Sequence, residues 1–312
     1  MTTFLHHLAL ASPLFALVAI GYALMRWGRW PKSVADALTR FVFSIALPAL
    51  LFHLMSDLSR LPPVDTRLLI AFFGGCLIVF VIGRVVGYMF FRLDGVSQSV
   101  FALGGVFSNN VLLGVPMAKT LLGEAALPSV ALVLVFNALT LWTLVTVSIE
   151  WARHGAMSAA GFAKTARGVI TNPIVASIVA GSLFGLSGLR LPGLIDRPLA
   201  MMGQVAAPMS LIALGMSLAE YGIRANWRQS MAICTLKLLL QPLVVWMLAR
   251  LLGLPPMETK VVVMLASIAV GVNVYLMSRQ FNTMEGPVAA SLVLSTALAA
   301  VTTPLALTLL GS

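Results

Sequence analysis

The chain has 312 residues, of which 60% are hydrophobic and 10% are charged, and its mean hydropathy is +0.99. Ordinary soluble domains contain about 25% charged residues, so this composition excludes a soluble fold and predicts an all-α protein that crosses a membrane many times. The net charge of +10 would indicate nucleic-acid binding in a soluble protein, but here the basic residues fall mostly in short loops, where anionic lipid is the expected partner.

Apolar segments long enough to cross a bilayer, about 20 residues each, follow one another along the chain. They cover 8–25, 33–55, 68–91, 97–119, 127–151, 169–187, 194–219, 228–252, 259–279 and 287–310. The first has no Lys or Arg before it and no small-residue cleavage pattern after it, so we interpret it as a span and not as a signal peptide. Cys76 and Cys234 lie in apolar runs without metal-binding or disulfide spacing, so neither a metal site nor a cofactor is predicted.

The basic residues predict the orientation of these ten spans. Placing both termini outside leaves 12 Lys and Arg residues at the cytoplasmic ends and 7 at the outer ends, with Lys237 within the membrane. Cytoplasmic loops carry the excess of Lys and Arg in membrane proteins. We therefore predict that both termini face the outside, which is the periplasm in a bacterium.

The fourth span is interrupted near its middle. It reads SQSVFALGGVFSNNVLLGVPMAK (97–119) and contains Asn109, Asn110, Gly114 and Pro116. Pro116 has no backbone N–H and its ring clashes with the carbonyl four residues earlier, so we expect the helix to break here. Broken membrane helices form the substrate sites of many transporters, because protein or a water-filled cavity must satisfy the freed backbone groups. A second interpretation stays open, since proline kinks and asparagine hydrogen bonds also serve as packing devices.

The two halves of the chain resemble each other. Three features recur at nearly constant spacing: Pro13 with Pro173, Pro48 with Pro208, and Asn110 with Asn273. We therefore predict a first five-helix repeat at 1–151, a cytoplasmic linker at 152–168 and a second five-helix repeat at 169–312. Because five is an odd number, the two copies insert with opposite topology. This is the inverted-repeat plan of secondary transporters, in which broken helices meet near the midplane, here the crossing helices 4 and 9.

Lys237 lies near the centre of the eighth span, with Gln241 one turn further along the same face and Pro242 beside it. No Asp or Glu lies near the centre of any predicted span. A central cation without a carboxylate partner favours a site for an anionic substrate, and asparagine side chains and helix N-termini complete such a site. Two alternatives stay open: Lys237 donates to backbone carbonyls exposed by Pro242, or its ammonium reaches an interface.

The remaining polar residues indicate which ions could drive transport and whether an enzymatic reaction is to be expected. All histidines lie near span ends: His6, His7, His53 and His154. A dedicated proton carrier is therefore not predicted, whereas sodium held by amide, hydroxyl and carbonyl oxygens and simple gradient-driven movement both stay open. An intramembrane protease needs a Ser–His pair or paired Asp residues at depth. The sequence has neither there, so we do not expect an enzyme.

Three short motifs in the same order resemble the auxin efflux carrier family, which contains the plant PIN exporters and bacterial carriers of malonate, malate or related acids. They are NNVLLGVP at 109–116, Asn172 with Pro173 at the start of the sixth span, and Lys237 five residues before Pro242. The resemblance covers essentially the whole chain. Plant members have proline at the break of the ninth helix where this chain has Asn273, so we expect Gly271 and Asn273 to form the second break.

The resemblance implies a scaffold part made of helices 1, 2, 6 and 7 and a transport part made of helices 3–5 and 8–10, which moves as an elevator. It also implies a homodimer through the scaffold helices in the bacterial inner membrane. The expected substrate is a small organic anion: a carboxylate or dicarboxylate such as malonate or malate, or an auxin-like acid. The expected site comprises Asn109, Asn110, Gly114, Pro116, Lys237, Gln241, Gly271 and Asn273. A sodium-coupled symporter of the bile-acid type, which shares the inverted-repeat plan, is the alternative.

Overall fold

A computed structural model describes residues 2–56, 64–154, 171, 173–221 and 226–311. Within these ranges the chain is helical, with turns and short connections and a single isolated antiparallel bridge in place of any sheet. The prediction of an all-α protein is confirmed. Most of the predicted linker, 155–168, lies outside the described residues, as does Asn172.

The helices begin and end as follows, in chain order. They are α1 (Thr2–Arg26), α2 (Lys32–Phe41), α3 (Leu47–Ser56), α4 (Arg67–Phe91), α5 (Gly95–Gly104), α6 (Val115–Leu122), α7 (Leu127–His154), α8 (Pro173–Leu186), α9 (Gly193–Leu218), α10 (Trp227–Thr235), α11 (Gln241–Leu251), α12 (Pro256–Ser267), α13 (Val272–Gln280) and α14 (Glu285–Gly311). A single turn of 3₁₀ helix, Glu124–Ala126, precedes α7.

Six helices among the described residues are long and apolar enough to cross a membrane. They are Phe4–Arg26, Lys32–Ser56, Arg67–Phe91, Gly193–Leu218, Trp227–Leu251 and Glu285–Leu310, and they coincide with predicted spans one, two, three, seven, eight and ten. Shorter apolar helices, Asn110–Leu122, Glu124–Asn137 and Pro173–Leu186, overlap spans four, five and six. The chain is therefore a multi-pass membrane protein.

Three spans contain a turn of wider π-helix just before a proline. The π segments are Val42–Ala46, Asn110–Gly114 and Leu236–Leu240, and the prolines that follow are Pro48, Pro116 and Pro242. In each case the carbonyl four residues before the proline falls inside the π segment, because the ring pushes that carbonyl away and supplies no N–H to it. Proline thus explains where these spans bend.

Close backbone packing joins the first and seventh spans. A Cβ atom added at Gly21 would lie 2.2 Å from the carbonyl oxygen of Ile212, and one added at Gly215 would lie 1.9 Å from that of Val18. Only glycine permits such a close approach. Because the hydrophobic effect does not drive helices together inside a membrane, direct van der Waals contact of this kind stabilises their packing. Helices α3 and α8 pack together beside this pair, whereas α4 packs on α5 and α11.

Candidate functional site

The fourth and ninth spans are both interrupted, and their interruptions cross each other. Helix α5 ends at Gly104 and the π segment begins at Asn110, while α12 ends at Ser267 and α13 begins at Val272. Across the crossing, the Asn109 N–H donates to the Ala269 carbonyl at 2.9 Å and the Gly271 N–H donates to the Phe107 carbonyl at 2.7 Å. Ser108 and Val270 form the antiparallel bridge between them. The two breaks therefore satisfy part of each other's backbone, as a membrane interior requires.

Side chains from the eighth and tenth spans satisfy other backbone groups that the breaks free. The contacts run from Gln241 Nε2 to the Val106 carbonyl at 2.8 Å, from Lys237 Nζ to the Ala266 carbonyl, from Thr303 Oγ1 to the Ser267 carbonyl at 2.9 Å, and from the Val270 N–H to Ser295 Oγ at 3.0 Å. All of these side chains are buried. Buried backbone groups in native proteins are nearly always paired, and here the pairing fixes the position of both breaks.

Lys237 is fully buried and its ammonium donates to the Ala266 carbonyl, at the C-terminal end of α12. A helix C-terminus carries partial negative charge and favours a cation. The contact with a backbone carbonyl matches one of the two alternatives left open by the sequence, although the carbonyl belongs to the ninth span and not to the turn before Pro242. Lys237 and Gln241 are absent from the lining of the cavity described next, so a direct contact of Lys237 with the substrate stays a prediction.

A small cavity of about 40 Å³ lies at the crossing. Its lining comprises Phe43, Phe107, Ser108, Asn109, Asn110, Val111, Leu112, Asn137, Gly271, Val272 and Asn273. This volume holds about one water molecule. The lining thus unites Asn109, Asn110, Gly271 and Asn273 of the predicted site.

Several polar atoms in this lining have no hydrogen-bond partner among the described residues. Asn110 Nδ2 donates to Asn137 Oδ1 at 3.2 Å, but Ser108 Oγ, Asn109 Nδ2 and Asn110 Oδ1 are unpaired. The four side chains are at most 6% exposed. A buried unpaired polar group costs about 1–3 kcal/mol, so a ligand that supplied partners here would recover that energy.

Two helix N-termini meet at the cavity. The helical stretch Asn110–Leu122 and the helix α13 both begin with residues that line it. Each N-terminus carries partial positive charge and free N–H groups, an arrangement that binds carboxylate or phosphate. No side chain in the lining is acidic or basic, so the groups that a ligand would meet there are these helix N-termini and the amides, and the N-termini favour an anion.

Gly114 and Pro116 form the fourth-span break without lining the cavity. A Cβ atom at Gly114 would lie 3.0 Å from Leu265 Cδ2 and 3.1 Å from Ile268 Cδ1, so this glycine lets the fourth span approach the ninth. Pro116 lies in the first turn of α6. These two residues shape the site and do not contact its interior.

Sequence reasoning missed Asn137, Ser108 and Phe43. Asn137 lies near the middle of the fifth span and pairs with Asn110. A search of span centres for uncharged amides, and not for charges alone, would have found it. Phe43 belongs to the π segment of the second span, and only the fold shows that this aromatic ring reaches the crossing.

Replacing Gly271 by alanine is expected to destabilise the crossing. Gly271 has an ordinary backbone conformation, with φ −77° and ψ 140°, but an added Cβ would lie 3.0 Å from the Ser108 carbonyl oxygen and 2.9 Å from Phe107 Cδ1. Because a backbone atom cannot move aside as a side chain does, the two breaks must separate, at a cost of about 1–3 kcal/mol. Thermal denaturation in detergent measures the effect.

Gly193→Ala is the matched control for this substitution. Nothing lies within 4 Å of a Cβ added at Gly193, which begins α9. Its thermal midpoint should equal that of the unmodified protein. Equal midpoints for Gly271→Ala and Gly193→Ala would show that the backbones do not approach this closely.

Comparison with known proteins gives consistent matches over most of the chain. A family model described as "Membrane transport protein" matches residues 8–307. A protein of Rhizobium meliloti (strain 1021) named "Putative malonate transporter" is 26% identical over 296 residues, which cover 94% of this chain and 92% of that protein. A protein of Oryza sativa subsp. japonica named "Probable auxin efflux carrier component 5a" is 30% identical over 141 residues, or 44% of this chain and 39% of that protein.

Proposed function

The chain belongs to the membrane transport protein family, and we therefore propose that it is a secondary transporter that moves a small organic anion across the bacterial inner membrane without a catalytic step. The observation that carries this proposal is the small cavity where two helix N-termini and four asparagine side chains converge. Similarity to the protein named for malonate favours a small carboxylate or dicarboxylate, such as malonate or malate, over a larger auxin-like acid.

The proposed architecture has ten spans in two inverted five-helix repeats, 1–151 and 169–312, with both termini in the periplasm. Two contacts support the assignment of helix ends to common sides of the membrane. Lys32 and Glu220, both assigned to the cytoplasmic side, form an ion pair at 2.8 Å. His7 and Thr308, both assigned to the outer side, lie 3.1 Å apart through their side-chain atoms.

The proposed mechanism is movement of helices 3–5 and 8–10 against helices 1, 2, 6 and 7. Phe43, from the second group, lines the same cavity as residues from the fourth and ninth spans, which belong to the first. A site at the boundary between two bodies opens when they separate, as alternating access requires. A homodimer through the scaffold helices stays a prediction.

We propose gradient-driven transport without a bound sodium ion at the crossing. Two carbonyls at the end of α12, where a cation would be attracted, already accept hydrogen bonds from Lys237 and Thr303. The fixed ammonium thus takes the place that a coupling cation would need. The sodium-coupled symporter of the bile-acid type is the competing hypothesis.

Thermal stabilisation by ligand is the experiment that tests the proposed function. A ligand that binds the folded protein stabilises it in proportion to RT ln(1 + [L]/Kd). We expect malonate or malate to raise the thermal midpoint of the purified protein equally in sodium and potassium salts at constant ionic strength. Counterflow of the same acid in proteoliposomes measures transport.

If stabilisation by malonate or malate requires sodium, the protein is a sodium symporter and the proposal of gradient-driven transport is wrong. If neither mono- nor dicarboxylates stabilise the protein while organic cations do, the assignment of an anion site is wrong. Acetamide at matched concentration is the control, because it offers an amide to the asparagines but no negative charge to the helix N-termini.

A further inference from the structure

The hydroxyl of Ser210 reaches from the seventh span to the broken fourth span. Ser210 lies in α9 and is fully buried. Its Oγ lies 3.1 Å from the carbonyl oxygen of Leu112, which lines the cavity, and 2.8 Å from the carbonyl oxygen of Ala207 in its own helix. Under the proposed mechanism these two carbonyls belong to the two bodies that move against each other.

The Leu112 carbonyl lacks the donor that a regular α-helix would give it. In a regular α-helix it would accept the N–H of residue 116, but residue 116 is proline and has none. The wide turn Asn110–Gly114 spreads the helix at this point. Ser210 therefore supplies a hydrogen bond that the break itself has removed.

A serine hydroxyl has one proton and so donates to one acceptor at a time. We propose that Ser210 is a positioning residue that stabilises the present conformation by donating to Leu112, and that its proton turns to Ala207 when the fourth span moves away. The inference rests on the proposed movement of the transport part. Because the Ala207 carbonyl is already in reach, the Ser210 hydroxyl keeps an acceptor after release, and only the Leu112 carbonyl loses its partner.

The size of the effect follows from one neutral hydrogen bond. In Ser210→Ala the Leu112 carbonyl loses this donor in the present conformation, and loss of one such bond weakens a conformation by a factor of about five. Because the Leu112 contact breaks as this conformation is left, removing the hydroxyl is expected to shorten its lifetime about fivefold. Substrate contacts are unaffected because Ser210 does not line the cavity.

Single-molecule energy transfer in lipid nanodiscs measures that lifetime directly. Trp27→Cys, after α1, and Phe90→Cys, near the end of α4, place one dye on each moving body, since these side chains are 77% and 74% exposed. The natural Cys76 and Cys234 are buried and escape labelling. Dwell times are compared for the parent protein, Ser210→Ala and Ser217→Ala.

Ser217→Ala is the matched control on the same helix, because Ser217 Oγ donates to the Ala213 carbonyl of α9. We expect the dwell time of the present conformation to fall about fivefold in Ser210→Ala and to stay unchanged in Ser217→Ala. Equal dwell times in the two variants would overturn the role of Ser210.

Pro116→Ala gives a second and independent test. It restores an N–H at residue 116, so the Leu112 carbonyl gains a partner in its own helix and Ser210→Ala should no longer change the dwell time. A fivefold effect that persists in the Pro116→Ala background would overturn the proposal. Comparing Ser210→Ala in the parent and in the Pro116→Ala background also distinguishes loss of the Leu112 contact from a general loss of packing around Ser210.

The outcomes distinguish this inference from the function on which it rests. A single energy-transfer state in every variant, with malonate counterflow intact, would refute the rigid-body movement and the role of Ser210 while leaving transport established. Two states with equal dwell times in all variants would refute only the role of Ser210. Failure of the parent protein to show counterflow of any organic anion would instead refute the proposed function.

Discussion

Asn109→Asp is expected to abolish binding and transport of organic anions while leaving the fold intact. Asn109 lines the cavity, is 6% exposed, and its Nδ2 has no partner among the described residues. Aspartate has almost the same shape, and the two helix N-termini favour its ionised form. Two like charges about 4 Å apart repel by about 4 kcal/mol at an effective dielectric constant near 20. We therefore expect affinity to fall about 1,000-fold.

Calorimetric titration of malonate and counterflow in proteoliposomes measure this loss. Asn109→Ala removes the donor without adding charge and should cost about tenfold, one hydrogen bond to a charged group. Asn226→Asp is the control for the charge itself, because Asn226 is exposed before α10, far along the chain from the breaks. Unchanged malonate affinity in Asn109→Asp would refute the cavity as the anion site.

The break of the fourth span was predictable from the sequence, and its position shows how proline acts. Unwinding precedes Asn110, whereas Pro116 lies in the first turn of the following helix. The proline disturbs the carbonyl four residues earlier, and the wide turn Asn110–Gly114 absorbs that disturbance. The sequence identifies Pro116 as the cause of the break, but the unwound segment lies before Pro116 in the chain.

The break of the ninth span has no proline and covers 268–271, so it contains the predicted Gly271, whereas Asn273 lies in the first turn of α13 and not in the break. Its cause is tertiary. Gly271 and Ala269 exchange hydrogen bonds with the fourth span, and Ser295 accepts the Val270 N–H. Such partners lie far away in sequence, so local propensity cannot identify them. The partner of Lys237 escaped prediction for the same reason, since the Ala266 carbonyl is freed only because α12 ends there.

The family resemblance is confirmed by the match over residues 8–307. Family membership does not tell how large the cavity is in this conformation. A cavity of about 40 Å³ holds about one water molecule, far less than a dicarboxylate needs. In this conformation the crossing is therefore too tightly packed to hold a dicarboxylate. Under the proposed mechanism, the second span, with Phe43, separates from the crossing when a substrate enters, so binding and the movement between the two bodies are coupled.

Lys237→Met tests why a buried cation is kept at the crossing. Among the described residues no carboxylate forms an ion pair with it, so its burial costs several kcal/mol of lost hydration. A charge-assisted hydrogen bond returns only about 1.5–3 kcal/mol, and the end of a helix dipole at most about 2 kcal/mol more. These opposing terms nearly cancel, so we expect methionine, which is similar in shape and uncharged, to change the thermal midpoint little, although the Ala266 carbonyl loses this donor. If the midpoint is unchanged, the ammonium does not serve stability, and we propose that its positive charge serves transport.

The expected result for transport is therefore the opposite of that for stability. Without the ammonium, the potential that attracts an anion is weaker and the end of α12 loses its fixed cation, so we expect counterflow of malonate to fall at least about tenfold, the factor that corresponds to about 1.4 kcal/mol. Lys119→Met is the control, because Lys119 lies on the same broken fourth span but pairs with Glu124 at its partly exposed end. Normal counterflow with a lowered midpoint in Lys237→Met would mean that the ammonium serves only to hold the Ala266 carbonyl. A lowered rate with an unchanged midpoint would assign the charge to transport.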